Sequence, residues 1–271
     1  MSSNNIGHVC MTCCASCGII AEVDRAAELR DEILFRQPES SYLGDCPICC
    51  LPLSSDSEKS TMLGCCSRLI CDGCDFANKL REFEESLEHT CPFCRLPTPK
   101  SQAEADLNAN RKRRAKANDP VALREMSKTH YHKGDYKGAL EYLMKAAELG
   151  DVGSHYLISD LYREGKGVEK DEKKELYHTE EAAIGGHPEA RFFLAFYEAR
   201  NERFDRAVKH WIIAANLGCG DSIQQLKKGY KLGVVSKEDF AAALRAHQAA
   251  VDATKSPQRE EAAKKQLKEA T

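Results

Sequence analysis

Thirteen of the fourteen cysteines lie between Cys10 and Cys94, and only Cys219 lies beyond them. This polarity divides the chain into a cysteine-rich first part and a longer second part. The later half of the cysteine-rich part contains four close pairs: Cys46 and Cys49, Cys65 and Cys66, Cys71 and Cys74, and Cys91 and Cys94. Repeated Cys-x-x-Cys pairs are typical of metal thiolates, and zinc is the usual metal for such ligands. Four pairs predict two tetrahedral zinc sites.

The segment that carries the four pairs is short. About fifty residues cannot bury enough apolar surface to fold without further support. Structural zinc supplies on the order of 10 kcal/mol or more of folding free energy to such segments. The alternative, reduced cysteines scattered through a core, does not explain why they occur as four pairs. We expect Cys50 to be surplus and not to bind metal.

Composition limits the other function classes. The chain has 39 basic and 42 acidic residues and a net charge of -3, which gives no general affinity for nucleic acid. No apolar run approaches the roughly 20 residues that cross a bilayer, and Met1 to Cys17 lacks the pattern of a signal peptide. The sequence therefore predicts an intracellular protein of the cytoplasm or nucleus that does not enter a membrane.

The cysteine motifs of residues 41–100 resemble those of the RING finger family. The matching strings are Cys46-Pro47-Ile48-Cys49, Cys71-Asp72-Gly73-Cys74 and Cys91-Pro92-Phe93-Cys94-Arg95. The resemblance implies a small α+β module with two zinc ions in a cross-brace. In that arrangement the first and third pairs share one ion, and the second and fourth pairs share the other. The implied ligand sets are Cys46, Cys49, Cys71 and Cys74 for one site, and Cys65, Cys66, Cys91 and Cys94 for the other.

One position departs from the family pattern. RING fingers carry a histidine three residues before the fifth ligand, and that position is Arg68 in this chain. Arginine does not ligate zinc, so the adjacent Cys65 and Cys66 must supply both thiolates, as in variants with all-cysteine ligation. His89 is the alternative ligand if one of them does not.

The resemblance also implies a partner. RING fingers bind a ubiquitin-conjugating enzyme through an apolar residue of the first cysteine loop and through the proline-containing last loop. A basic residue after the final cysteine steadies the ubiquitin thioester. The matching positions are Ile48, Pro92, Phe93 and Arg95. Their alternative roles are packing inside the finger for Ile48 and Phe93, and simple solvent exposure for Arg95.

Residues 1–23 contain a second, weaker metal signal. Two adjacent pairs, Cys10 with Cys13 and Cys14 with Cys17, are followed by no further cysteine before Cys46. The string Cys14-Ala15-Ser16-Cys17-Gly18 resembles the opening of a MYND finger, and the rest of such a finger is missing. We interpret the segment as a degenerate MYND-like remnant, with one bound zinc ion as the alternative.

A linker, residues 24–40, follows this segment. Its helix-forming residues predict a helix from Asp24 to Gln37, ended by Pro38. Leu29, Ile33 and Leu34 are spaced to form one apolar face of that helix.

The second linker, residues 101–118, carries a basic run from Arg111 to Lys116. Such a run is typical of a solvated, charged helix. A nuclear localisation signal or a nucleic-acid patch is the alternative. Without interleaved aromatic residues, nucleic acid is the less favoured partner.

From Asp119 onward the composition changes and a motif recurs. Its copies begin at Ala146, Ala182 and Ala214, 36 and then 32 residues apart, and each ends in glycine. A period of this length is typical of a solenoid of two-helix units, each of which buries its apolar face against its neighbours. We predict three full units and an atypical fourth over residues 119–254.

Residues that are typical of helix starts and helix ends occur where these units require them. The predicted helix starts are Asp119-Pro120, Asp135, Asp171, His187-Pro188 and the capping box Ser236-x-x-Asp239, and the predicted stops are Gly150, Gly186 and Gly218.

The segment from Asp160 to Asp171, together with Glu181-Ala182-Ala183, resembles the Sel-one-like repeat, a relative of the tetratricopeptide repeat. The resemblance implies a concave face that binds peptides or protein surfaces. Candidate groove residues are Tyr131, Tyr142, Tyr156, Tyr162, Phe193, Tyr197 and Trp211, although helical spacing also favours core positions for many of them. The repeats contain no recognisable catalytic set, so we do not expect them to catalyse a reaction.

The chain ends in a charged tail, residues 255–271. It has almost no large apolar residues and is predicted to be a solvated or frayed helix. The patterns predict a small zinc-stabilised α+β RING-like module followed by an all-α helical-repeat solenoid. With the resemblances, they favour a ubiquitin-ligase-like protein in which the zinc finger recruits a ubiquitin-conjugating enzyme and the repeats bind a protein client. The alternative is a non-catalytic zinc-binding scaffold for protein interactions.

Overall fold

The computed structural model describes residues 28–97 and 103–269. They fall into two compact units that are divided between Arg36 and Gln37. The cysteines from Cys10 to Cys17, with the predicted MYND-like remnant, lie outside the described residues.

Residues 28–34 of the first unit are helical, within the predicted helix. The predicted apolar face is wrong in part, because Leu34 is buried whereas Leu29 and Ile33 are exposed. Leu34 lies about 100° around the helix axis from Ile33, so the burial of one does not require the burial of the other.

The cysteine-rich segment of the second unit forms a small α+β module. A short 3-10 turn, Ser57–Lys59, leads into strand β1 (Ser60–Leu63), which pairs antiparallel with β2 (Arg68–Cys71). Helix α1 (Asp72–Glu84) follows directly. The core of the module consists of Cys46, Leu53, Ile70, Cys71 and Cys74, so metal-ligand candidates form much of its buried centre.

The rest of the described chain is helical. Its helices are α2 (Ala103–Lys116), α3 (Pro120–His132), α4 (Tyr136–Glu148), α5 (Val152–Glu164), α6 (Glu172–Ile184), α7 (Pro188–Arg200), α8 (Phe204–Asn216), α9 (Gly220–Lys231), α10 (Lys237–Ala253) and α11 (Pro257–Glu269). Helices α3 and α4, α5 and α6, and α7 and α8 pack as pairs, and each pair packs on the next. Helices α9 and α10 close the array against α8. The predicted helical-repeat solenoid is therefore confirmed, with three full units and a fourth that differs from them.

The three recurring motifs end their helices in the same way. Gly150, Gly186 and Gly218 have φ values of 85°, 87° and 91°, in the left-handed region that glycine adopts without strain. The N–H of each glycine donates to the carbonyl of the second alanine of its motif, and the next N–H donates to the carbonyl of the first. The same two hydrogen bonds and a left-handed glycine therefore form the turn that joins each unit to the next.

The predicted helix starts also occur. Asp119, Asp135 and Asp171 each accept a backbone N–H of the first turn with their carboxylates. Ser236 accepts the N–H of Asp239 and opens α10 as the capping box predicted. These caps satisfy N–H groups that no carbonyl within the helix can reach.

Small residues make up much of the solenoid core, where Ala146, Ala182, Ala183, Ala214 and Ala215 have no exposed surface. Helix α2 adds Ala115, which is buried against Ala122, Leu123 and Met126. The basic linker is therefore not wholly solvated, although Lys112, Arg113 and Lys116 are exposed.

The tail is helical and most of its described side chains are exposed, as expected of a solvated helix, but one face of it packs on the cysteine-rich module, which was not expected. Helix α11 packs against α1 of the cysteine-rich module, and its Ala262 is buried. The charged composition gave no sign of this contact, which depends on Gly73, because the missing side chain lets the backbone of α11 approach α1 at Arg259. Among the described residues, no helix is both long enough and apolar enough to span a membrane.

Candidate metal centre

Eight cysteines gather into two groups of four in the cysteine-rich module. The first cluster consists of Cys46, Cys49, Cys71 and Cys74, and the second cluster of Cys65, Cys66, Cys91 and Cys94. Within each cluster all sulfurs lie within 4.8 Å of one another. The grouping is the cross-braced one that the RING resemblance implies, and Cys50 belongs to neither cluster. Ligation of zinc by these residues stays a prediction.

The spacing of the sulfurs suits one ion per cluster. The Sγ atoms of Cys49 and Cys71 are 3.8 Å apart, and those of Cys66 and Cys91 are 3.7 Å apart. Four sulfurs at about 2.3 Å from a central zinc ion, in a tetrahedron, would be separated by about 3.8 Å.

Two loops with the same hydrogen bonds supply half of the sulfurs. In the first loop the N–H of Cys46 donates to the carbonyl of Leu51 over 2.9 Å, and the N–H of Cys50 donates back to the carbonyl of Cys46 over 2.8 Å. The second loop repeats both bonds, from Cys91 to Leu96 and from Arg95 to Cys91, each over 2.9 Å. In each loop the two sulfurs belong to the same cluster.

Cys50, which lies outside both clusters, directly follows the second cysteine of the first loop. Cys50 and Arg95 occupy equivalent positions with φ values of 54° and 56°, where the chain must turn left-handed. Cys50 thus has a backbone role in its loop. Both loops read Cys-Pro-x-Cys-x-Leu-Pro, and this repeated string is the signal in the sequence that indicates their equivalence.

The other four sulfurs come from the hairpin and from the start of α1. Cys65 and Cys66 lie in the turn between the strands, where the N–H of Cys66 donates to the carbonyl of Leu63. Cys71 ends β2 and caps α1, and its Sγ accepts the N–H of Cys74 over 3.4 Å. A helix N-terminus favours negative charge, so this position suits a thiolate.

Arg68 and His89 make contacts outside the two clusters. The Arg68 guanidinium lies over the ring of Phe93, 5.1 Å from its centroid. His89 Nδ1 lies 2.8 Å from a carboxylate oxygen of buried Glu82. Burial raises the pKa of Glu82, but hydrogen bonds from His89, the Thr90 N–H and Asn78 outweigh it and hold that pKa below its usual range. Neither Arg68 nor His89 belongs to a cysteine cluster.

The chemistry of the donor set fits a thiophilic cation. In the first cluster, burial and the neighbouring sulfurs of Cys71 and Cys49 raise the pKa of Cys74. In the second cluster, burial and the sulfurs of Cys91 and Cys94 raise the pKa of Cys65 in the same way. Four thiolates so close together repel one another unless a cation lies between them. A zinc ion held by four cysteines would supply that cation, and the sulfurs would then cross-link distant parts of a small module.

A residue that the sequence did not identify joins the first cluster. The Arg259 guanidinium of α11 donates to Cys49 Sγ over 3.3 Å. Burial raises the pKa of the Cys49 thiol, but hydrogen bonds from the Leu51 N–H, from Arg259 and from neighbouring thiols outweigh it and lower that pKa to about 7. Nothing in the tail's composition predicted this contact.

The predicted partner-binding residues are divided by their exposure. Ile48 is 43% exposed, and Pro92 and Arg95 are also exposed. Phe93 is half-buried and packs against the core of the module. Ile48, Pro92 and Arg95 are thus accessible to a partner, whereas much of Phe93 supports its own loop.

The candidate groove residues of the repeats are also divided. A groove of about 720 Å³ runs along α5, α6 and α7 and contains Tyr162, Phe193 and Tyr197 from the predicted set. Arg163 lies over the ring of Phe193 and Arg200 over that of Tyr197, at 4.7 and 5.6 Å from the centroids. The four remaining candidates, Tyr131, Tyr142, Tyr156 and Trp211, are half-buried and do not line this groove.

No family model matches this sequence, and no curated protein matches it. Among solved structures, a Sel1 repeat protein from Oxalobacter formigenes is similar at 21% identity and a TM-score of 0.48, over 66% of this chain and 73% of that one. A protective antigen present in uropathogenic Escherichia coli strains, with an SLR fold, is similar at 17% identity and a TM-score of 0.41, over 71% of this chain and 39% of that one. Similarity of this extent does not establish a family, and the solenoid is established by the helix packing described above.

Proposed function

We propose that this chain is a RING-type ubiquitin-ligase-like adaptor, with two zinc ions in the cysteine-rich module and Sel-one-like repeats that bind a protein client. The observation that carries the proposal is the cross-braced grouping of eight sulfurs into the first and second clusters. A pair of interleaved four-cysteine clusters in one small module is the arrangement that the RING resemblance implies.

The module performs no covalent chemistry in this proposal. Zinc holds the two cysteine loops in place. Ile48 and Pro92 project from those loops and contact the ubiquitin-conjugating enzyme, and Arg95 contacts the ubiquitin that the enzyme carries. The exposure of all three residues supports these roles. Phe93 supports the second loop from inside, since it packs on the core of the module.

The repeats select the client through the groove along α5, α6 and α7. Phe193 and Phe196 are 38% and 41% exposed there and both pack edge-on against Phe192, so they form one aromatic patch, and a contiguous exposed patch of this kind is typical of a binding surface. Arginine and aromatic residues together are also enriched where proteins bind one another.

Two measurements on the full chain test the proposal. Native mass spectrometry should find two zinc ions per chain. Autoubiquitination with a panel of ubiquitin-conjugating enzymes should give activity that depends on zinc. A chain that binds two zinc ions and shows no transfer with any enzyme of the panel would contradict the ligase part of the proposal.

The second candidate function is a non-catalytic scaffold in which zinc only holds the module together. One observation favours it: α11 packs on α1, and its Arg259 contacts the first cysteine loop, beside Ile48. A RING-type partner surface that is shared with the chain's own tail would be less accessible. The same autoubiquitination panel separates the two functions, because the scaffold predicts zinc without transfer.

A further inference from the structure

Arg259 connects the C-terminal helix to the first cysteine loop through several acceptors. One terminal nitrogen, Nη2, donates to Cys49 Sγ over 3.3 Å and to the carbonyl of Leu51 over 3.1 Å. The other, Nη1, donates to the carbonyl of Pro52 over 2.7 Å and to that of Thr254 over 2.8 Å. The guanidinium therefore spans the sulfur and the backbone of the loop that follows it.

The backbone of α11 is close enough for this only because of a glycine. A Cβ atom placed on Gly73 would lie 2.7 Å from the backbone nitrogen of Arg259, closer than any side chain tolerates. Further along α11, Ala262 is buried and Lys265 lies over the ring of Phe76, 5.1 Å from its centroid. The backbone and several side chains of α11 therefore contact α1, so the contact does not depend on Arg259 alone.

The charge of the site gives this contact a chemical role. Four thiolates around a divalent zinc ion carry a net negative charge, and a hydrogen bond from a guanidinium to one of the sulfurs is stabilised by that charge. The same guanidinium holds the carbonyls of Leu51 and Pro52, so the loop cannot swing Cys49 away from the cluster without breaking several bonds.

We infer that α11 is a clamp on the first cluster, and that Arg259 slows the loss of its zinc by holding Cys49 and its loop in place. Arg259 is a positioning residue in this role, since it touches the thiolate and does not ligate the metal. The inference rests on the zinc sites of the proposed function and is independent of ligase activity.

The coupling must act in both directions. If docking of α11 tightens zinc binding, zinc must tighten the docking of α11 by the same factor, because linked equilibria are reciprocal. Removing the metal is therefore expected to loosen the C-terminal helix.

The test measures zinc release from the full chain into excess chelator, followed with a colorimetric zinc indicator. Arg259→Ala should release one of its two zinc ions at least about tenfold faster than the parent, the change expected from the loss of its charge-assisted hydrogen bond to Cys49 Sγ alone. Gly73→Ala should have a similar effect, because it displaces the helix while Arg259 is intact. Arg245→Ala is the matched control, since it removes an exposed arginine from the neighbouring α10 and should leave release unchanged.

Pulse alkylation with N-ethylmaleimide and peptide mass mapping identifies the cluster that has lost its ion. In Arg259→Ala, the first-cluster cysteines Cys46, Cys49, Cys71 and Cys74 should be modified before those of the second cluster. Faster release that maps to the second cluster, or release equal to the parent from both, would overturn the clamp while the zinc sites stand. A parent chain without zinc would overturn the clamp and the zinc part of the proposed function together.

Discussion

The phenol ring of Tyr42 stacks on the imidazole ring of His187, with centroids 4.4 Å apart. Tyr156 stacks on the same imidazole at 4.3 Å. The N–H of Tyr42 also donates to the carbonyl of Gly186 over 3.2 Å, at the turn between α6 and α7. These contacts attach the segment before the first cysteine pair to the middle of the solenoid. Burial raises the pKa of Tyr42 to about 12.

Replacing this ring should destabilise the protein. Tyr42→Ala removes the stacking and leaves a cavity, so the free energy of unfolding should fall by about 3 kcal/mol. Urea denaturation followed by circular dichroism measures it. Tyr42→Phe keeps the ring and should stay close to the parent. Equal losses in the two variants would assign the effect to the hydroxyl group and contradict the role of stacking.

Cys65→Ser and Cys66→Ser should each lose one zinc ion, because the second cluster has no other described sulfur to complete four ligands. Native mass spectrometry of the full chain gives the metal content. Cys50→Ser is the control and should keep both ions, since Cys50 lies outside the clusters. Two ions retained in Cys65→Ser or Cys66→Ser would show that the substituted residue is not a ligand.

Ile48→Ala and Arg95→Ala should reduce ubiquitin transfer about tenfold, the effect of losing one contact at the centre of an interface. Folding and zinc content should be unchanged, because both side chains are exposed and neither is a candidate ligand. Phe83→Ala is a suitable control, since Phe83 is 79% exposed and lies near the end of α1. Transfer that is unchanged in both variants of an active parent would contradict the proposed partner surface.

The stability of the repeats should depend on pH through two histidines. The Nδ1 atoms of His155 and His178 lie 3.0 Å apart, which requires at least one neutral ring. Burial, His155 and Lys174 lower the pKa of His178 to about 4, and burial lowers the pKa of His155. In the unfolded chain a histidine has a pKa of about 6.5, so the unfolded state binds more protons below that pH.

Stability should therefore fall as the pH is lowered from about 6.5 toward 4, with a loss of about 2 kcal/mol at pH 5 relative to pH 7 from His178 alone. Urea denaturation at the two pH values measures the loss. His178→Phe preserves an aromatic ring beside Tyr162 and should remove much of the pH dependence. An identical pH dependence in this variant would exclude the histidine pair as its source.

Truncation after Ala253 should lower the thermal stability of the cysteine-rich module. The loss of α11 removes Arg259 and Ala262 from the module. Zinc release on heating reports the module, and the fluorescence of the single tryptophan, Trp211, reports the repeats. The temperature of zinc release should fall more than the temperature of the Trp211 transition. An equal shift of both would contradict the prediction that α11 stabilises the cysteine-rich module in particular.

Sequence patterns were sufficient to predict the features that depend on local chemistry. Cysteine spacing indicated which sulfurs form the first and second clusters, once the RING resemblance supplied the pairing. The alanine and glycine motifs placed the turns of the solenoid, because a left-handed glycine such as Gly150 ends a helix wherever it stands. Aspartate caps such as Asp135 act within one turn of their own helix.

Contacts between residues that are far apart in the chain could not be predicted, because they depend on how the helices and strands pack. Arg259 and Cys49 are 210 positions apart, and neither carries a local pattern that names the other. The sequence also could not distinguish groove residues from core residues. Half-buried Tyr156 and exposed Phe193 both lie at helical positions that fit either environment, and only the packing of the helices distinguishes them. The type of a side chain shows which kinds of partner it can bind, but which partner it meets depends on how the helices and strands pack.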